Sequence, residues 1–395
     1  MYDVVIVGGG PCGLIAGKAI AKGGNRVAII EEHQEIGYPV QCSGLYSVSG
    51  LKALGLKLGG DIIVNTIKGG RFFSPSGKEI FAYSNTERAR VVEKKLFDKY
   101  LAREAARAGV EMKLKTRVMG LERGRDISIK IEGLDGREKI ESHLVIGADG
   151  VRSNVARWCG LQTPKKIVAA VQVEVDGVDV EDDVAEMYFG REYAPNFYAW
   201  VLPKGDVCEV GVGVRGGTAP PRKYLEKFIQ KHPVASRKIK SRSTIELNMG
   251  GFPLSVSERT VSDGVMIVGD AAGHTKASTG GGVITGGIAS MIAGAAAVKA
   301  LEAGDYSEEF LRGEYESKWK EEIGFELKVH EALRNMFDSL SDEQLDSIFD
   351  LAIEARVDEI MVRYQDTDRP SAFVRDLMAD ERMVEVMQKF LDFPI

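Results

Sequence analysis

Cysteine, proline and excess positive charge are all scarce in this sequence, and each shortage excludes a class of protein. The four cysteines, Cys12, Cys42, Cys159 and Cys208, are scattered without a C-x-x-C pair, which argues against a disulfide-dense secreted domain and favours a reduced, intracellular protein. Only 12 prolines and no Gly-X-Y period are present, which excludes collagen. Lys and Arg number 52 against 58 Asp and Glu, a net charge of −6, so we expect no nucleic-acid partner.

Long, strongly apolar runs are also missing, so we expect neither a signal peptide nor a transmembrane helix. Residues 1–7 lack the basic flank and the small-residue cleavage site of a signal peptide. The longest weakly polar run, residues 280–301, has the length of a membrane span, but Gly, Ala, Ser and Thr make up much of it. We expect this run to form a helix buried inside a cytoplasmic protein.

Glycine, in contrast, is abundant, with 45 of 395 residues against a typical share of about 7%. The hydrophobic share of 44% and the charged share of 28% are ordinary for a folded protein. A chain of this length is expected to hold two or three domains of about 100–200 residues each. The glycines therefore serve local purposes, at places where the backbone must approach something closely.

The first glycine cluster has the pattern of a dinucleotide-binding turn. A β-branched run at residues 4–7 predicts a buried parallel strand, and Gly8, Gly10 and Gly13 follow it in the spacing G-x-G-x-x-G. Gly8 permits the tight turn, Gly10 lets the backbone approach a pyrophosphate, and Gly13 lets the following helix pack on the strand. Glu31, at the end of a second strand, would accept hydrogen bonds from ribose hydroxyls. This motif alone leaves NAD and FAD open, and a turn without a ligand is the structural alternative.

Two distant motifs repeat the arrangement of a buried strand that ends in glycine and one aspartate. The strand-like residues 144–146 lead into G-A-D-G at residues 147–150, and residues 265–268 lead into G-D-A-A at residues 269–272. Open α/β sheets bind ligands at the carboxyl ends of their strands. Asp149, Gly150 and Asp270 are therefore candidate cofactor contacts, although each pair is also typical of an ordinary turn.

The three motifs together resemble the FAD-binding fold of the para-hydroxybenzoate hydroxylase superfamily. The resemblance implies that FAD is the cofactor, that Asp270 contacts its ribityl chain, and that Asp149 and Gly150 approach its pyrophosphate. A basic residue before a helix is usually Arg in this superfamily, whereas the matching position here is Lys94, which would contact the FAD phosphates.

A glycine run at residues 279–283 opens the Ala- and Gly-rich helix that follows the third motif. A helix start of this kind presents free N–H groups and the positive end of the helix dipole, which would stabilise the negative charge of reduced flavin near N1 and the C2 carbonyl. Close helix packing also favours Gly and Ala, and the two roles are compatible.

Two further segments resemble the geranylgeranyl reductase family, whose archaeal-type members saturate the prenyl chains of ether lipids. Residues 36–44 are similar to its P-V-x-C stretch, and residues 198–205 are similar to its Y-x-W-x-F-P motif. Leu202 stands where Phe is usual, and Ala277 stands where Pro is usual. The resemblance implies hydride transfer from flavin N5 to an isolated double bond, with a proton added at the other carbon.

Cys42 belongs to the first of these segments and is our candidate catalytic residue, because the matching stretch of the family lies near the isoalloxazine. An ordinary buried thiol is the alternative. No metal-ligand cluster is evident. The expected FAD contacts are Gly8, Gly10, Cys12, Gly13, Glu31, Cys42, Lys94, Asp149, Gly150, Asp270, Gly281, Gly282 and Val283.

The predicted fold class is α/β, or α+β overall: a Rossmann-like FAD-binding domain, an inserted sheet-based substrate domain and a helical C-terminal tail. The FAD-binding domain is assigned to residues 1–160 and 259–302, the substrate domain to residues 161–258, and the helical region to residues 303–395. Alternating apolar stretches at residues 167–175 and 207–214 predict a mixed or antiparallel sheet. Tyr188, Tyr198 and Trp200 are the candidate substrate contacts, as walls of an apolar tunnel, with a plain sheet core as the alternative.

Three functions remain open from the sequence. The first is a prenyl reductase that acts on an ether phospholipid, the second an FAD-dependent aromatic monooxygenase, and the third a non-catalytic lipid-binding or electron-carrying flavoprotein. The electron donor would be a nicotinamide, a deazaflavin or ferredoxin. The basic residues 236–242 and the C-terminal helices are candidates for peripheral contact with the inner face of the cell membrane, although a solvated surface strand or loop and helices packed over the substrate region are the favoured explanations.

Overall fold

The computed structural model describes residues 1–240, 243–364 and 366–382. In chain order, the strands are β1 (Tyr2–Val7), β2 (Val27–Ile30), β3 (Leu45–Ser47), β4 (Ile63–Ile67), β5 (Gly69–Phe73), β6 (Glu79–Tyr83), β7 (Ala89–Val92), β8 (Glu111–Lys113), β9 (Arg117–Arg123), β10 (Ile127–Gly133), β11 (Gly136–Gly147), β12 (Ile167–Val175), β13 (Val184–Tyr188), β14 (Ala199–Lys204), β15 (Val207–Val214), β16 (Thr244–Pro253), β17 (Val261–Ser262) and β18 (Val265–Ile267).

The helices occupy the spaces between these strands and most of the described C-terminal region. They are α1 (Pro11–Lys22), α2 (Val48–Ala53), α3 (Lys94–Arg107), α4 (Asn154–Trp158), α5 (Pro221–Lys231), α6 (Ala235–Lys238), α7 (Val283–Ala303), α8 (Glu308–Leu311), α9 (Ser317–Trp319), α10 (Phe325–Ser339), α11 (Asp342–Glu354), α12 (Val357–Arg363) and α13 (Pro370–Ala379). Short π-helical turns at Arg312–Glu316 and Lys320–Gly324 join α8, α9 and α10.

The first sheet has a parallel centre in the order β18-β11-β1-β2-β8. Strands β1 and β2 at its centre are short and apolar: all four residues of β2 are buried, as are the last four of β1. This composition is typical of parallel strands that are covered by helices on both faces. The Rossmann-like part of the predicted α/β fold is therefore confirmed.

The second sheet runs in the order β16-β12-β15-β14-β13-β5-β6, and its pairs are antiparallel except for β13 with β5. The prediction of a mixed sheet is thus confirmed. Residues 69–83, which the sequence analysis assigns to the FAD-binding segments, contribute β5 and β6 to this second sheet. The parallel pairing of Val184 with Gly69 joins positions too far apart in the chain for a local pattern to reveal.

Helix α7 lies inside the protein, as its composition predicts. Within the described ranges it is the one helix that is long and apolar enough to span a membrane. An 18-residue stretch of it has a mean hydropathy of 1.6, and 61% of that stretch is buried inside the protein. Its small residues let α1 approach: a Cβ at Gly294 would lie 2.6 Å from the Cβ of Ala19. Gly304, with φ of +64°, ends the helix in the left-handed conformation.

The C-terminal helices cover the second sheet on the side of β5 and β6. Ser76 donates its backbone N–H to Asp346 of α11 at 3.0 Å, and Arg88 donates to the carbonyl of Tyr364, just after α12, at 3.0 Å. The Phe337 ring of α10 stacks on Phe189 with 5.7 Å between centroids. The predicted helical character of this region is borne out as far as residue 382, and residues 383–395 lie outside the described part of the chain.

Candidate active site

Four parallel strands bring the three glycine motifs to one edge of the first sheet. Strands β2, β1, β11 and β18 lie side by side and point the same way, so their carboxyl ends meet. The Gly8 N–H donates to the Ile30 carbonyl at 2.9 Å, and the Ala148 N–H donates to the Val7 carbonyl at 2.8 Å. Segments more than 100 residues apart in the sequence thus form one continuous surface.

The first motif forms a cradle in which an added Cβ would clash at Gly8 and at Gly13. Gly8 has φ of +107°, and a Cβ there would lie 2.3 Å from the Ala148 carbonyl oxygen. A Cβ at Gly13 would lie 2.1 Å from the Gly8 oxygen, whereas one at Gly10 would meet no protein atom within 4 Å. Gly10 also precedes α1, whose start has no side-chain cap. Open space in front of uncapped helix N–H groups fits a diphosphate.

Glu31 follows β2 at the same edge. One of its carboxylate oxygens accepts the Gly9 N–H at 2.7 Å, and the other accepts the His33 N–H at 2.8 Å. These bonds fix the carboxylate at the cavity wall. Since two carboxylate oxygens offer about four acceptor positions, capacity remains for ribose hydroxyls.

Asp149 shapes the turn after β11. Its carboxylate accepts the Ser153 hydroxyl at 2.6 Å and the Asn154 N–H at 2.7 Å, so it holds the start of α4. Gly150 has φ of +75°, and a Cβ there would meet nothing within 4 Å. Both residues line the same cavity as the first motif, and the Asp149 side chain is occupied by bonds within its own turn.

Asp270 lies between the third motif and the start of α7. Burial raises the pKa of its carboxyl, an effect that the Thr275 hydroxyl reduces by donating at 2.8 Å. A Cβ at Gly282 would lie 3.0 Å from the Asp270 oxygen and 2.8 Å from the Thr275 hydroxyl. Glycine at the start of α7 is thus required for the aspartate to fit, and Gly281, Gly282 and Val283 all face the cavity.

Cys12 and Cys42 have different surroundings. The Cys12 sulfur fills the space in front of two glycines, 2.7 Å from the Cβ positions of Gly269 and Gly286, and burial raises its pKa to about 12. It packs the first motif against the third motif and against α7. Cys42 is half-buried at the cavity wall, and its sulfur accepts the Gly44 N–H at 3.5 Å. Burial raises the pKa of Cys42, so this thiol is protonated at neutral pH.

The cradle opens into a cavity of about 1690 Å³, well above the range of about 300–1,000 Å³ for a single small-molecule site. Beyond the motif residues its walls are mostly apolar, with a few charged residues such as Arg88, Glu186 and Arg334 among them. Tyr198 and Trp200 of the predicted tunnel face it. The Tyr198 hydroxyl donates to the Thr279 carbonyl at 2.6 Å, which ties this wall to the loop before α7.

Comparison with known proteins agrees with this geometry. Residues 1–289 match the family model described as an FAD binding domain. A digeranylgeranylglycerophospholipid reductase of Methanocaldococcus jannaschii is 41% identical over 354 residues, covering 88% of this chain and 90% of the relative. The Methanosarcina acetivorans protein of the same name is 37% identical, with 91% and 90% covered.

The chain belongs to the digeranylgeranylglycerophospholipid reductase family. Its cofactor is FAD. A solved structure from Thermoplasma acidophilum, described as geranylgeranyl bacteriochlorophyll reductase-like, superposes with a TM-score of 0.85 at 30% identity and covers 98% of each chain. The resemblance inferred from the sequence motifs is thus confirmed.

Lys94 departs from the Arg of the wider superfamily, and its charge has a partner within this reductase fold. Its ammonium forms a buried ion pair with Asp98 one turn along α3. Burial raises the pKa of Asp98, and Lys94 opposes that rise. Both residues line the cavity. The second Asp98 oxygen has no partner among the described residues, and the contact of Lys94 with FAD phosphates stays a prediction.

Tyr188 does not line the cavity, unlike the other two candidate substrate contacts, Tyr198 and Trp200. It is 1% exposed, stacks on Phe73 at 4.6 Å and lies against Phe228 of α5, on the opposite face of the second sheet. Because side chains alternate along a strand, its neighbours Met187 and Phe189 face the cavity instead.

The C-terminal helices build one apolar wall of the cavity, and none of its residues is among the substrate contacts predicted from the sequence. Side chains from α10 to α13 that line it are Leu333, Met336, Phe337, Ile348, Phe349, Ala352, Val357, Met361, Phe373 and Leu377. The helical apolar spacing of this region predicts helices that pack over the substrate region, and the structure places them there. Glu209 of β15 is not among the residues that line the cavity, but it contacts one of them: burial raises its pKa to about 7, and Trp200 donates to it at 3.1 Å. Its signal in the sequence is a single carboxylate in an otherwise apolar strand. Within the described residues, no group of three or more His, Cys, Asp or Glu is arranged to hold a metal.

Proposed function

We propose that this chain reduces isolated carbon–carbon double bonds in the geranylgeranyl chains of archaeal-type ether phospholipids. The observation that carries the proposal is the continuity of one cavity, which runs from the glycine cradle to an apolar wall built by the second sheet and the C-terminal helices. A long apolar ligand and a dinucleotide both fit such a space. The names of the archaeal relatives supply the substrate class.

The aromatic and aliphatic wall would bind and align the prenyl chain. Phe189, Tyr198 and Phe337 form a cluster of rings 5.7 and 6.1 Å apart around Phe189, so they present a rigid apolar surface. Burial of each methylene contributes about 0.8 kcal/mol, which gives a long chain ample binding energy without polar contacts. The same surface excludes water from the reacting carbon atoms.

FAD, held by the glycine cradle, Glu31 and Asp270, would supply hydride chemistry in its reduced form. The chain itself must supply or guide the proton. Cys42 fits this role because its sulfur faces the cavity as a neutral thiol. Tyr46 lies next to it, with 3.8 Å between the hydroxyl oxygen and the sulfur, and keeps the thiol in one orientation.

The test is mass spectrometry of a digeranylgeranyl phospholipid after incubation with the chemically reduced holoenzyme. We expect mass increases in steps of two hydrogens. An unchanged lipid mass, with lipid and FAD both bound, would instead identify a non-catalytic flavoprotein. Rapid NAD(P)H and oxygen consumption with a hydroxylated aromatic product would identify a monooxygenase.

We also propose that the chain contacts the membrane surface through β16. Ile245, Leu247 and Met249 alternate along this edge strand and are 61%, 43% and 62% exposed. Ile167 of the adjoining strand extends the row at 39% exposure, and both Ile167 and Met249 line the cavity. An apolar row that leads into the cavity is suited to the passage of a lipid from a bilayer. The basic residues Lys238 and Lys240 precede the strand, and positions 241–242 of that run lie outside the described residues.

Sedimentation with vesicles containing an anionic phospholipid tests this contact. The combined variant Ile245→Ser, Leu247→Ser and Met249→Ser should lose most vesicle binding. The control Leu134→Ser removes an even more exposed apolar side chain, 84% exposed in the hairpin between β10 and β11 of the first sheet, and should retain vesicle binding. Unchanged binding of the triple variant would refute the contact. A monomer–dimer difference by light scattering would assign the strand to pairing between copies.

The electron donor is the remaining partner. We propose a single donor among nicotinamide, deazaflavin and ferredoxin. Anaerobic flavin bleaching with each candidate in turn identifies it.

A further inference from the structure

A buried ion pair joins the loop before α7 to the C-terminal region. Lys276 is 9% exposed and lines the cavity. Its ammonium bonds to one carboxylate oxygen of Asp368, in the connection between α12 and α13. The second oxygen accepts the hydroxyl of Ser47, the residue that caps α2. Asp368 therefore links three separate parts of the chain at one point.

The backbone of Lys276 also closes the glycine loop. Its carbonyl accepts the Gly280 N–H at 2.7 Å and the Thr279 N–H at 3.1 Å, and its own N–H donates to the Gly281 carbonyl at 3.0 Å. The side chain follows the same loop: its Cε and Nζ lie 3.0 and 3.4 Å from the Cβ position of Gly281. The ammonium is thus held close to the backbone at the start of α7.

The charges that face this ammonium are few. Burial raises the pKa of Asp368, but Lys276 and Ser47 outweigh that effect and keep it below its ordinary value, so the carboxylate is ionised. Burial and the Lys276 charge lower the pKa of His330 to about 3, so this ring is neutral. Its Nδ1 is bonded to the Ser278 hydroxyl at 2.6 Å. Lys276 and Asp368 therefore form a charged pair where the loop before α7 meets the connection between α12 and α13.

We propose that the Lys276 ammonium stabilises the reduced, negatively charged form of the flavin, and that Asp368 is a positioning residue that holds the ammonium and moderates its charge. The start of α7 already directs uncapped N–H groups and a positive dipole into the cavity. A fixed cation beside them adds to that field, because charges are screened less in a partly buried site than in bulk water. Because Asp368 directly follows Thr367, which lines the cavity, the C-terminal region contributes to the electrostatics of the cofactor end.

The two partners should shift the flavin midpoint potential in opposite directions. Lys276→Met removes the cation, and we expect reduced FAD to bind about tenfold more weakly relative to oxidised FAD, equivalent to about 30 mV more negative for a two-electron couple. Asp368→Asn leaves the cation uncompensated and should make the potential more positive. Lys276→Arg should remain near the wild-type value.

The matched control is Lys299→Met at the other end of the same helix. Lys299 also has an ion-pair partner, Glu314 at 2.7 Å, but lies on the surface. The flavin midpoint potential of Lys299→Met should equal that of the wild type. The FAD dissociation constant is measured alongside for every variant, because a purely structural pair would weaken FAD binding without separating the two oxidation states.

An unchanged potential in Lys276→Met, or shifts of the same sign in Lys276→Met and Asp368→Asn, would overturn the proposal. If Lys276→Met does not bind FAD, the other two variants test the proposal. A more positive flavin midpoint potential in Asp368→Asn, together with an unchanged potential in Lys276→Arg, supports the proposal. Any other result refutes it. The measurement uses no lipid. Its failure is therefore distinct from a failure of lipid reduction.

Discussion

The Cys42 sulfur lies 3.8 Å from the Tyr46 hydroxyl oxygen, at the wall of the cavity that also holds the glycine cradle. Cys42→Ala should slow the oxidation of the pre-reduced holoenzyme by lipid by about 10²–10⁴-fold, the usual contribution of a general acid. The rate is measured by stopped-flow absorbance of the flavin.

Tyr46→Phe serves as the matched control, because it keeps the ring and the thiol, and we expect a smaller loss than in Cys42→Ala. FAD affinity is measured for both variants, so that a loss of cofactor binding is separated from a loss of rate. Since burial raises the pKa of Cys42, the wild-type rate should hold through neutral pH and fall only as the thiol ionises at alkaline pH. A Cys42→Ala enzyme with the wild-type rate would remove this residue from the reaction.

Glu31→Gln should weaken FAD binding while the fold is retained. The substitution removes the negative charge that accepts the Gly9 N–H at 2.7 Å, and a hydrogen bond to a charged group contributes about 1.5–3 kcal/mol. Glu32→Gln alters the exposed neighbour and is the control. Isothermal titration of each apoprotein with FAD measures the affinities. Equal FAD affinities of Glu31→Gln and Glu32→Gln would contradict the role of Glu31.

Gly10→Ala and Gly13→Ala should have different effects. A Cβ at Gly10 meets no protein atom within 4 Å, whereas one at Gly13 would lie 2.1 Å from the Gly8 oxygen. We expect Gly10→Ala to leave the melting temperature of the apoprotein unchanged and to lower FAD affinity, because the added methyl occupies ligand space. Gly13→Ala should lower the melting temperature itself. Tight FAD binding by Gly10→Ala would show that the pyrophosphate lies elsewhere.

His274 should make the protein sensitive to acid. The ring is fully buried against Trp319, both nitrogens lack partners among the described residues, and burial lowers its pKa to about 3. Below the ordinary value of 6.5 the unfolded chain binds a proton that the folded chain does not. Stability therefore falls as pH drops from about 6.5 towards 3, by up to about 1.4 kcal/mol per pH unit.

Urea unfolding of His274→Phe at several pH values checks this dependence. The variant should lose less stability than the wild type between pH 7 and pH 4. At pH 7 the two should differ only by the cost of repacking. Parallel stability curves across the whole range would show that His274 does not contribute.

Ala352→Trp should shorten the substrate end of the cavity. Ala352 of α11 lines the cavity, while its neighbour Ile353 is 43% exposed. We expect Ala352→Trp to reduce turnover of a geranylgeranyl lipid more than that of a lipid with shorter prenyl chains, at unchanged FAD affinity. Ile353→Trp should behave as the wild type. Equal loss for both chain lengths would place the prenyl chain away from α11.

Much of the cofactor end could be predicted from the sequence because its signals are local. A tight turn needs glycine within a few residues of the strand, so Gly8, Gly13 and Asp270 are recognisable from their neighbours alone. The substrate end has no such signal. Tyr188 is the last residue of β13 and Tyr198 directly precedes β14, and only the folded sheet separates the buried core position of the first from the cavity position of the second.

The sequence by itself determined the main strands and the glycine turns, since these follow from residue order and from the backbone freedom of glycine. Its motifs also carried the resemblance to the family. Only the tertiary structure decided what closes the cavity. Strand β5 pairs with β13 across the chain, the C-terminal helices supply the apolar wall, and Asp368 reaches Lys276. These contacts join residues about 90 or more positions apart. They depend on packing and charge pairing that no local pattern encodes.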